Sequence, residues 1–327
     1  MNAGAPQHEA GLPPMLAVVG PTASGKTSLA LALARCLDTE IISADSMQFY
    51  RGMEIGTAAP APEERAAAPH HFVGFLSPKE QMAAGEFERR AREVAERLRG
   101  AGKVPVVVGG SGLYIGALLD GLFPGPARNP ELRARLQAQA EKHGNAWLMA
   151  RLREVDPEYA DSLTSENDLV RVVRALEVYE ETGRPFSALH REHRAGAPPL
   201  PSVQVALDWD RAALYQRIET RVDRMVAAGW EAEVRRLVEA GYEAHLDRLK
   251  ALGYREMARY LRGGQSLDEV VAATKQHHRR YAKRQLTWFR GDARIQWLRA
   301  SEDTPVAAYL EGALRVLGLH GWKALVS

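Results

Sequence analysis

The sequence predicts an α/β fold with a parallel sheet flanked by helices, of the type found in P-loop NTPases, carrying an all-helical insertion. Three observations support this prediction. The apolar run at 15–19 leads into a glycine loop and then into a helical pattern. Short apolar runs continue to alternate with helical patterns up to about residue 123, as they do in α/β domains. From about residue 124 only helical periodicity remains.

In chain order, the first part of the sheet is predicted from four short apolar segments, at residues 15–19, 40–44, 71–75 and 104–108. Helical patterns follow three of them, at residues 28–37, 84–103 and 113–123. The segment 84–103 is amphipathic and carries many opposite charges four residues apart, which stabilises a helix. The segment 104–108 is apolar throughout, as expected of a parallel strand that is buried on both faces.

The predicted insertion begins at "PGPARNP" and ends at "RAGAPPLPS". Its helical segments are at residues 131–144, 146–155, 156–163 and 167–183. The dipeptides Asp156-Pro157 and Asn167-Asp168 are typical helix start signals.

After the insertion, residues 203–209 predict a strand that returns to the sheet, and 294–298 a last edge strand. Helices are predicted at 211–229, at 230–241 and from Ser266, which forms a capping box with Glu269. The expected organisation is therefore a disordered tail at 1–14, the catalytic core at 15–123 and 203–327, and the insertion at 124–202.

The composition is that of an ordinary soluble protein, with 46% hydrophobic and 26% charged residues in 327 and a net charge of +2. No apolar stretch approaches the length of a membrane span, and the first residues do not form a secretion signal. We therefore expect a cytoplasmic protein without a membrane partner. The single cysteine, Cys36, excludes a disulfide within the chain and a C-x-x-C zinc pair, and we expect it in the core.

The glycine loop matches the pattern G-x-x-x-x-G-K-[ST] at every fixed position. Its glycines allow backbone turns that a Cβ would block, and its amides form a cradle for anionic oxygens. The Lys26 ammonium adds a positive charge, and the Thr27 hydroxyl can ligate Mg²⁺. The predicted phosphate-binding residues are Gly20, Pro21, Thr22, Ala23, Ser24, Gly25, Lys26 and Thr27.

A P-loop NTPase also has a strand that ends in an aspartate near the metal. The strand predicted at 104–108 ends instead in "GGSG" at 109–112, which disfavours a motor or an ATPase. The nearest carboxylate, Asp45, follows the second strand at the edge of the sheet where ligands bind in open α/β folds. Asp45 could act as a general base or could form a turn or a helix cap, and the sequence alone leaves both open.

Two other segments have a chemical and a plain structural interpretation. The "GGSG" glycines permit close backbone approach and Ser111 can point at the same crevice, but a tight turn explains them equally well. The run "TKQHHRRYAKRQLTWFRGDAR" sets seven cations against one acid, with aromatic residues between them. Such a run suits an RNA backbone and unstacked bases, or else forms a solvated basic face.

Together these segments resemble the tRNA dimethylallyltransferases, also called tRNA isopentenyltransferases, from about residue 15 to 295. The matching blocks, in the family's order, are "GPTASGKT", "SADSMQFYRGMEIGTA", "PHHF", "VVVGGSGLYIGALLDGL", "VRALEVYEETG", "LGYRE" and "AKRQLTWFR". The resemblance implies transfer of a dimethylallyl group from dimethylallyl diphosphate to N6 of the adenosine 3′ to the anticodon, with Mg²⁺. Like bacterial members, the chain lacks a zinc finger.

The resemblance also implies roles for individual residues. The P-loop would hold a diphosphate that leaves, with Lys26, Mg²⁺ at Thr27 and Arg255 of "LGYRE" stabilising its charge. Asp45 would accept a proton from the adenine amine, and Ser111 would complete the catalytic set. The insertion would clamp the anticodon stem-loop. The expected tRNA contacts are Asp45, Ser46, Met47, Gln48, Ser111, Arg133, Arg171, Arg174, Lys283 and Arg284.

The chain departs from the family pattern at two positions. Ser111 stands where threonine is usual and keeps a hydroxyl, whereas Val170 stands where glutamine is common and loses an amide. We expect a monomer. Two alternatives explain part of the sequence: a small-molecule kinase in which Asp45 activates a hydroxyl, and an RNA-binding protein whose P-loop is a nucleotide switch. The kinase gives no reason for the insertion or the basic helix, and the switch does not need Asp45.

Overall fold

The computed structural model describes residues 12–123, 125–163, 165–196 and 199–319. The chain divides into two compact units, one running to Leu119 and resuming at Leu200, and the other spanning Asp120–Pro199. Residues 1–11 of the expected disordered tail lie outside the described residues. At the inner end of that tail Pro13 and Pro14 are buried, and the Pro13 carbonyl accepts a 2.7 Å hydrogen bond from Arg99 Nε.

Six parallel strands form one sheet in the described part of the larger unit, which confirms the predicted fold class. They are β1 (Met15–Val19), β2 (Ile41–Ser43), β3 (His70–His71), β4 (Val106–Gly109), β5 (Ser202–Trp209) and β6 (Ile295–Ala300). Their order is β3-β2-β4-β1-β5-β6, so the strand predicted last lies at an edge. The central strand β1 is fully buried, because helices cover both faces of a parallel sheet.

The helices of this unit surround the sheet. Before the excursion into the second unit they are α1 (Lys26–Cys36), α2 (Glu54–Thr57), α3 (Pro62–Ala67), α4 (Ala84–Gly100) and α5 (Gly112–Asp120). Cys36, expected in the core, is exposed at the end of α1, beyond the buried positions that finish at Ala34. The described residues contain no helix long and apolar enough to cross a membrane.

The second unit contains helices α6 (Pro130–His143), α7 (Asn145–Val155), α8 (Pro157–Ser162), α9 (Leu169–Thr182) and α10 (Phe186–Gly196). The Asn129 side chain accepts a 3.0 Å hydrogen bond from Leu132 N and so caps α6. Asp156 caps α8 through Tyr159 N at 3.0 Å. It also accepts hydrogen bonds from the Ser187 amide and hydroxyl, at 2.8 and 2.6 Å, which fixes α10 to α8. The sequence pattern did not predict α10.

When the chain returns to the first unit it forms, within the described residues, β5, five helices, β6 and a sixth helix. The helices are α11 (Arg211–Ala227), α12 (Trp230–Glu239), α13 (Glu243–Leu249), α14 (Tyr254–Leu261) and α15 (Leu267–Arg290), with α16 (Val306–Leu319) after β6. The capping box predicted at α15 is present: Ser266 Oγ accepts from Glu269 N at 3.2 Å, and Glu269 Oε2 accepts from Ser266 N at 2.7 Å. The chain leaves and re-enters this unit at adjacent points, because Leu200 N donates to Leu119 O at 2.8 Å.

Three neighbouring strands bring the predicted site segments together. β1 ends at Val19, β2 at Ser43 and β4 at Gly109, and all three run in the same direction. The P-loop, the Asp45 segment and the "GGSG" turn therefore begin at one edge of the sheet. Gly109 is required for this approach, since a Cβ there would lie 2.3 Å from the Ala44 carbonyl oxygen.

A buried carboxylate holds the second unit together. The Glu177 side chain is fully buried and accepts two hydrogen bonds from Arg133, at 2.7 and 2.8 Å, and one from Arg174 at 2.6 Å. The backbone N–H of Asn129 donates another hydrogen bond to Glu177, at 2.9 Å. Burial alone would raise the pKa of Glu177, but the hydrogen bonds from Arg133 and Arg174 outweigh it and hold the pKa at about 2. This network joins α6, α9 and the segment before α6.

We predict that Arg133→Ala destabilises the protein by about 3–5 kcal/mol, because it leaves the buried Glu177 charge without its bidentate partner. Arg135→Ala is the matched control on the same helix. Its side chain is 60% exposed and pairs with Glu180, so its loss should cost roughly 0–1 kcal/mol. Urea unfolding followed by circular dichroism measures both.

The same network predicts a pH dependence. The pKa of Glu177 lies below its ordinary value, so its contribution to stability is present above pH 4.5 and is lost as the pH falls towards 2.

Equal effects of the Arg133→Ala and Arg135→Ala substitutions on the free energy of unfolding at neutral pH would contradict the structural role of Arg133.

Candidate active site

A cavity of about 210 Å³ opens at the carboxyl edge of the sheet in the larger unit. Its walls come from the P-loop, the segment after β2, α2, α11, the turn before α14, and α15. The lining residues are Thr22, Lys26, Thr27, Asp45, Ser46, Met47, Gln48, Gly56, Thr57, Arg221, Lys250, Ala251, Leu252, Tyr254, His278, Tyr281, Arg284 and Gln285.

The P-loop passes directly from β1 into α1. Gly20 and Gly25 have φ values of 135° and 92°, in the region that favours glycine, and Gly25 is the N-cap of α1. The first amides of a helix have no partner within the helix, and they carry the positive end of its dipole. The loop therefore presents amide donors to an anion at the cavity wall.

Two cations, the buried Lys26 and the half-buried Arg221, strengthen this anion site. The Lys26 side chain is only 8% exposed, and its Nζ donates to Pro21 O at 3.0 Å. Burial and the nearby Arg221 lower the pKa of Lys26 to about 8, and Asp45 opposes that change. Arg221 Nη2 donates to Thr57 O at 3.1 Å, while burial lowers the pKa of Arg221.

Asp45 lies opposite these cations. Its Oδ1 accepts a 3.1 Å hydrogen bond from Met47 N, so the carboxylate does form a turn after β2. It also lines the cavity, together with Lys26 and Thr27. The two interpretations that the sequence left open are therefore compatible, because one oxygen can form the turn while the carboxylate remains in the cavity.

Gln285 joins the P-loop to the "GGSG" turn. Its Oε1 accepts from Thr22 N and its Nε2 donates to Gly110 O, each at 2.8 Å. A Cβ at Gly110 would lie 2.2 Å from Gln285 Nε2, so only glycine permits this contact. Beside it, Ser46 N donates to Ser111 Oγ at 3.3 Å. The Ser111 hydroxyl therefore contacts the segment that carries Asp45, and its predicted catalytic role stays a prediction.

One face of α15 forms a wall of the cavity. Its lining residues are His278, Tyr281, Arg284 and Gln285, spaced three or four apart as helix geometry requires. Burial, with Arg221 close by, lowers the pKa of His278 to about 4. Burial and the Asp45 charge raise the pKa of Tyr281 to about 12. Both side chains are therefore uncharged near neutral pH, and the charged groups of the wall are mainly cationic.

A second buried carboxylate, that of Glu233, does not line the cavity but holds one of its walls in place. Glu233 accepts from Ile55 N at 2.7 Å, from Gly56 N at 3.0 Å and from the Tyr254 hydroxyl at 2.7 Å. These amides begin α2, whose last carbonyl, at Thr57, accepts from Arg221. The four-residue helix α2 is thus held at both ends, and it places Gly56 and Thr57 in the cavity wall.

Some of the predicted site residues line the cavity and others do not. Those that reach the cavity are Thr22, Lys26, Thr27, Asp45, Ser46, Met47, Gln48 and Arg284. Arg255 does not: its side chain is 53% exposed, and its Nη2 lies 3.6 Å from Glu256 Oε1. Helix α14 buries Tyr254, Met257 and Ala258, which leaves Arg255 on another face. The cavity lining contains Arg221, which the sequence analysis did not single out, and the role predicted for Arg255 stays a prediction.

Several predicted tRNA contacts have partners within the protein. Arg133 and Arg174 bind the buried Glu177, a role that the sequence did not suggest. Both ends of the Gln48 amide are bonded, to Ser43 Oγ at 3.2 Å and to Ala58 O at 3.3 Å. Arg171 lies 3.3 Å from Asp168, and Lys283 and Val170 are exposed. The RNA contacts proposed for these residues stay predictions.

The oxygen donors of the cavity suit Mg²⁺. The Thr27 hydroxyl and the Asp45 carboxylate line it together, and magnesium prefers such ligands. No group of three or more histidine, cysteine or acidic side chains forms a metal cage among the described residues. A bound Mg²⁺ ion would therefore take further ligands from a phosphate-bearing substrate and from water, as is usual for this ion.

Comparison with known proteins identifies the family. Residues 48–292 match the IPP transferase family model, and residues 14–74 match that of isopentenyl transferases. The chain belongs to the IPP transferase family. The tRNA dimethylallyltransferase 1 of Pelobacter propionicus is 47% identical over 291 residues, which is 89% of this chain and 94% of that protein.

Two solved structures share the fold. The tRNA isopentenylpyrophosphate transferase of Bacillus halodurans is 35% identical, with a TM-score of 0.67 over 94% of this chain and 97% of that one. A eukaryotic dimethylallyltransferase, described as acting on tRNA, is 26% identical. Its TM-score is 0.72 over 88% of this chain and 74% of that one.

We predict that affinity for dimethylallyl diphosphate, measured by calorimetry without RNA, falls above pH 8. Lys26 has a pKa of about 8 in the free protein, so it is charged below that pH and neutral above it. A bound anion favours the charged form, so the loss should approach tenfold per pH unit. Lys26→Arg keeps its charge throughout this range and should remove the dependence. An unchanged pH profile in Lys26→Arg would contradict the assignment to Lys26.

Proposed function

We propose that this enzyme transfers a dimethylallyl group from dimethylallyl diphosphate to N6 of the adenosine 3′-adjacent to the anticodon in tRNA. The observation that carries the proposal is the convergence of Lys26, Arg221 and Asp45 on one cavity. Such a site can hold a diphosphate leaving group and accept a proton beside it. The names of the relatives, and the eukaryotic neighbour that acts on tRNA, support the same reaction.

In the proposed step, the adenine N6 lone pair forms a bond to C1 of the dimethylallyl group. The C1–O bond breaks, and its electron pair leaves with the diphosphate. The proton of the N6 amine passes to the Asp45 carboxylate. Because carbon is attacked rather than phosphorus, no carboxylate is needed to hold an attacking water. This agrees with the "GGSG" turn at the end of β4, where an ATPase would carry aspartate.

The charge that develops on the leaving diphosphate meets groups that are already in place. The P-loop amides, Lys26 and Arg221 stabilise it without reorganisation, which is the most effective form of electrostatic catalysis. Thr27 would hold a Mg²⁺ ion, which would supply additional positive charge beside the diphosphate. The Glu233 and Arg221 contacts at the two ends of α2 keep this wall fixed.

An exocyclic adenine amine is a weak nucleophile, so its orientation contributes as much as its deprotonation. The base must leave its stack to enter the cavity, as in other enzymes that modify bases. Ser46 and Ser111, joined by a hydrogen bond, lie beside Asp45 where they can orient the adenine. Arg284, which lines the cavity, and the exposed Lys283 can contact RNA phosphates, and Trp288, 49% exposed, offers an aromatic surface to a base.

We predict that Asp45→Asn loses about 10²–10⁴-fold of the turnover rate, because the amide cannot accept the N6 proton. The assay incubates the protein with Mg²⁺, radiolabelled dimethylallyl diphosphate and an unmodified anticodon stem-loop with adenosine at the target position. Label in the RNA is counted. Asp38→Asn is the control, since Asp38 is 97% exposed and pairs with Lys103.

A parallel incubation with γ-labelled ATP distinguishes the alternatives. Absence of label in the RNA, together with phosphate transferred or released from ATP, would refute the prenyl-transfer proposal. It would assign the P-loop to a nucleotide instead.

A further inference from the structure

We propose that Trp209 and Arg217 are positioning residues that hold the phosphate loop in its anion-binding conformation. The inference rests on the proposed function, in which this loop receives the diphosphate. Trp209 Nε1 donates a buried 2.8 Å hydrogen bond to Ser24 O, and Arg217 Nε donates to Ala23 O at 3.0 Å. Neither side chain lines the cavity, so neither touches the substrate there.

The two hydrogen bonds control where the loop amides point. In a trans peptide the C=O and N–H groups point in opposite directions. Holding the Ser24 carbonyl towards Trp209 therefore turns the Gly25 N–H the other way. Holding the Ala23 carbonyl towards Arg217 turns the Ser24 N–H into the loop, where it lies 3.4 Å from Pro21 O. Lys26 Nζ contacts the same carbonyl oxygen, at 3.0 Å, so this is the side that carries the cation.

The loop needs such support because its backbone is unfavourable. Ala23 has a φ of 63°, in the left-handed region that a residue with a Cβ rarely adopts. Such a conformation persists only when the surroundings determine it. The carbonyls of Ala23 and of the next residue, Ser24, are the two that Arg217 and Trp209 hold. The contacts are therefore placed at the strained position itself.

Arg217 is itself fixed from two sides. Its guanidinium carbon lies 4.2 Å from the centroid of the Trp209 ring, and its Nη1 is 3.2 Å from Glu302 Oε2. An arginine stacked on an indole face in this way is stabilised by a cation–π interaction. The pair thus links the end of β5, α11 and the loop after β6 to the P-loop. It also places a positive charge behind the diphosphate site.

The test uses the full-length protein and two substitutions that separate the contacts. Trp209→Phe keeps a ring for Arg217 but removes the N–H donor to Ser24, whereas Arg217→Met removes the donor to Ala23 and keeps the chain length. Each should weaken dimethylallyl diphosphate binding about five- to tenfold, the effect of one lost hydrogen bond. Arg217→Lys should recover part of the loss. The KM for RNA should not change.

Arg211→Met is the matched control. Arg211 lies on the same helix, α11, and its guanidinium stands 5.3 Å from the centroid of the Tyr215 ring, but it makes no contact with the loop. Calorimetry with dimethylallyl diphosphate, steady-state kinetics and melting temperatures are measured for all variants. Loss of diphosphate affinity at an unchanged melting temperature supports the inference.

Three results would count against these ideas, and they are distinguishable. Unchanged affinity in both Trp209→Phe and Arg217→Met overturns the inference and leaves the proposed function intact. Parallel losses of melting temperature and of RNA affinity assign the pair to general stability, which also overturns it. Failure of the unsubstituted protein to bind dimethylallyl diphosphate overturns the proposed function itself.

Discussion

The parallel pairing of β4 with both β1 and β2 is the constraint on which the rest of the site depends. It brings three strand ends to one edge, so the P-loop, Asp45 and the "GGSG" turn start within reach of one another. The pairing is possible at that edge because Gly109 has no Cβ to meet the Ala44 carbonyl. Gln285 of α15 is hydrogen-bonded both to the P-loop and to the "GGSG" turn, so it holds the segments that follow β1 and β4 together.

The electrostatic character of the cavity follows from what surrounds this wall. Burial keeps His278 and Tyr281 uncharged near neutral pH, since it lowers the pKa of the histidine and raises that of the tyrosine. The same surroundings lower the pKa of Lys26 and of Arg221, so a bound anion favours their charged forms. The site is therefore prepared for a strongly anionic ligand, with Asp45 as the carboxylate among the lining residues.

The sequence predicted the sheet, the P-loop and the capped helix α15 because each has a strong local pattern. It did not predict α2, α13 or α14, which have four, seven and eight residues and are held by distant partners such as Glu233. Arg221 could not be distinguished from the other cations of α11, because its approach to Lys26 depends on tertiary packing. For Arg255 the motif gave a residue type but not the face of the helix that carries it, and its role stays a prediction. Glu177 likewise binds Arg133 and Arg174, for which the resemblance implied contacts with RNA.

The short distance between Leu119 and Leu200 has a consequence for how this architecture can change. The two backbones are hydrogen-bonded at 2.8 Å, so about eighty residues enter and leave the larger unit through one narrow junction. A short turn could therefore join Leu119 to Leu200 without displacing β5, at a small cost in loop-closure entropy. The helical unit could therefore be enlarged, shortened or replaced without displacing the strands that carry the cavity residues.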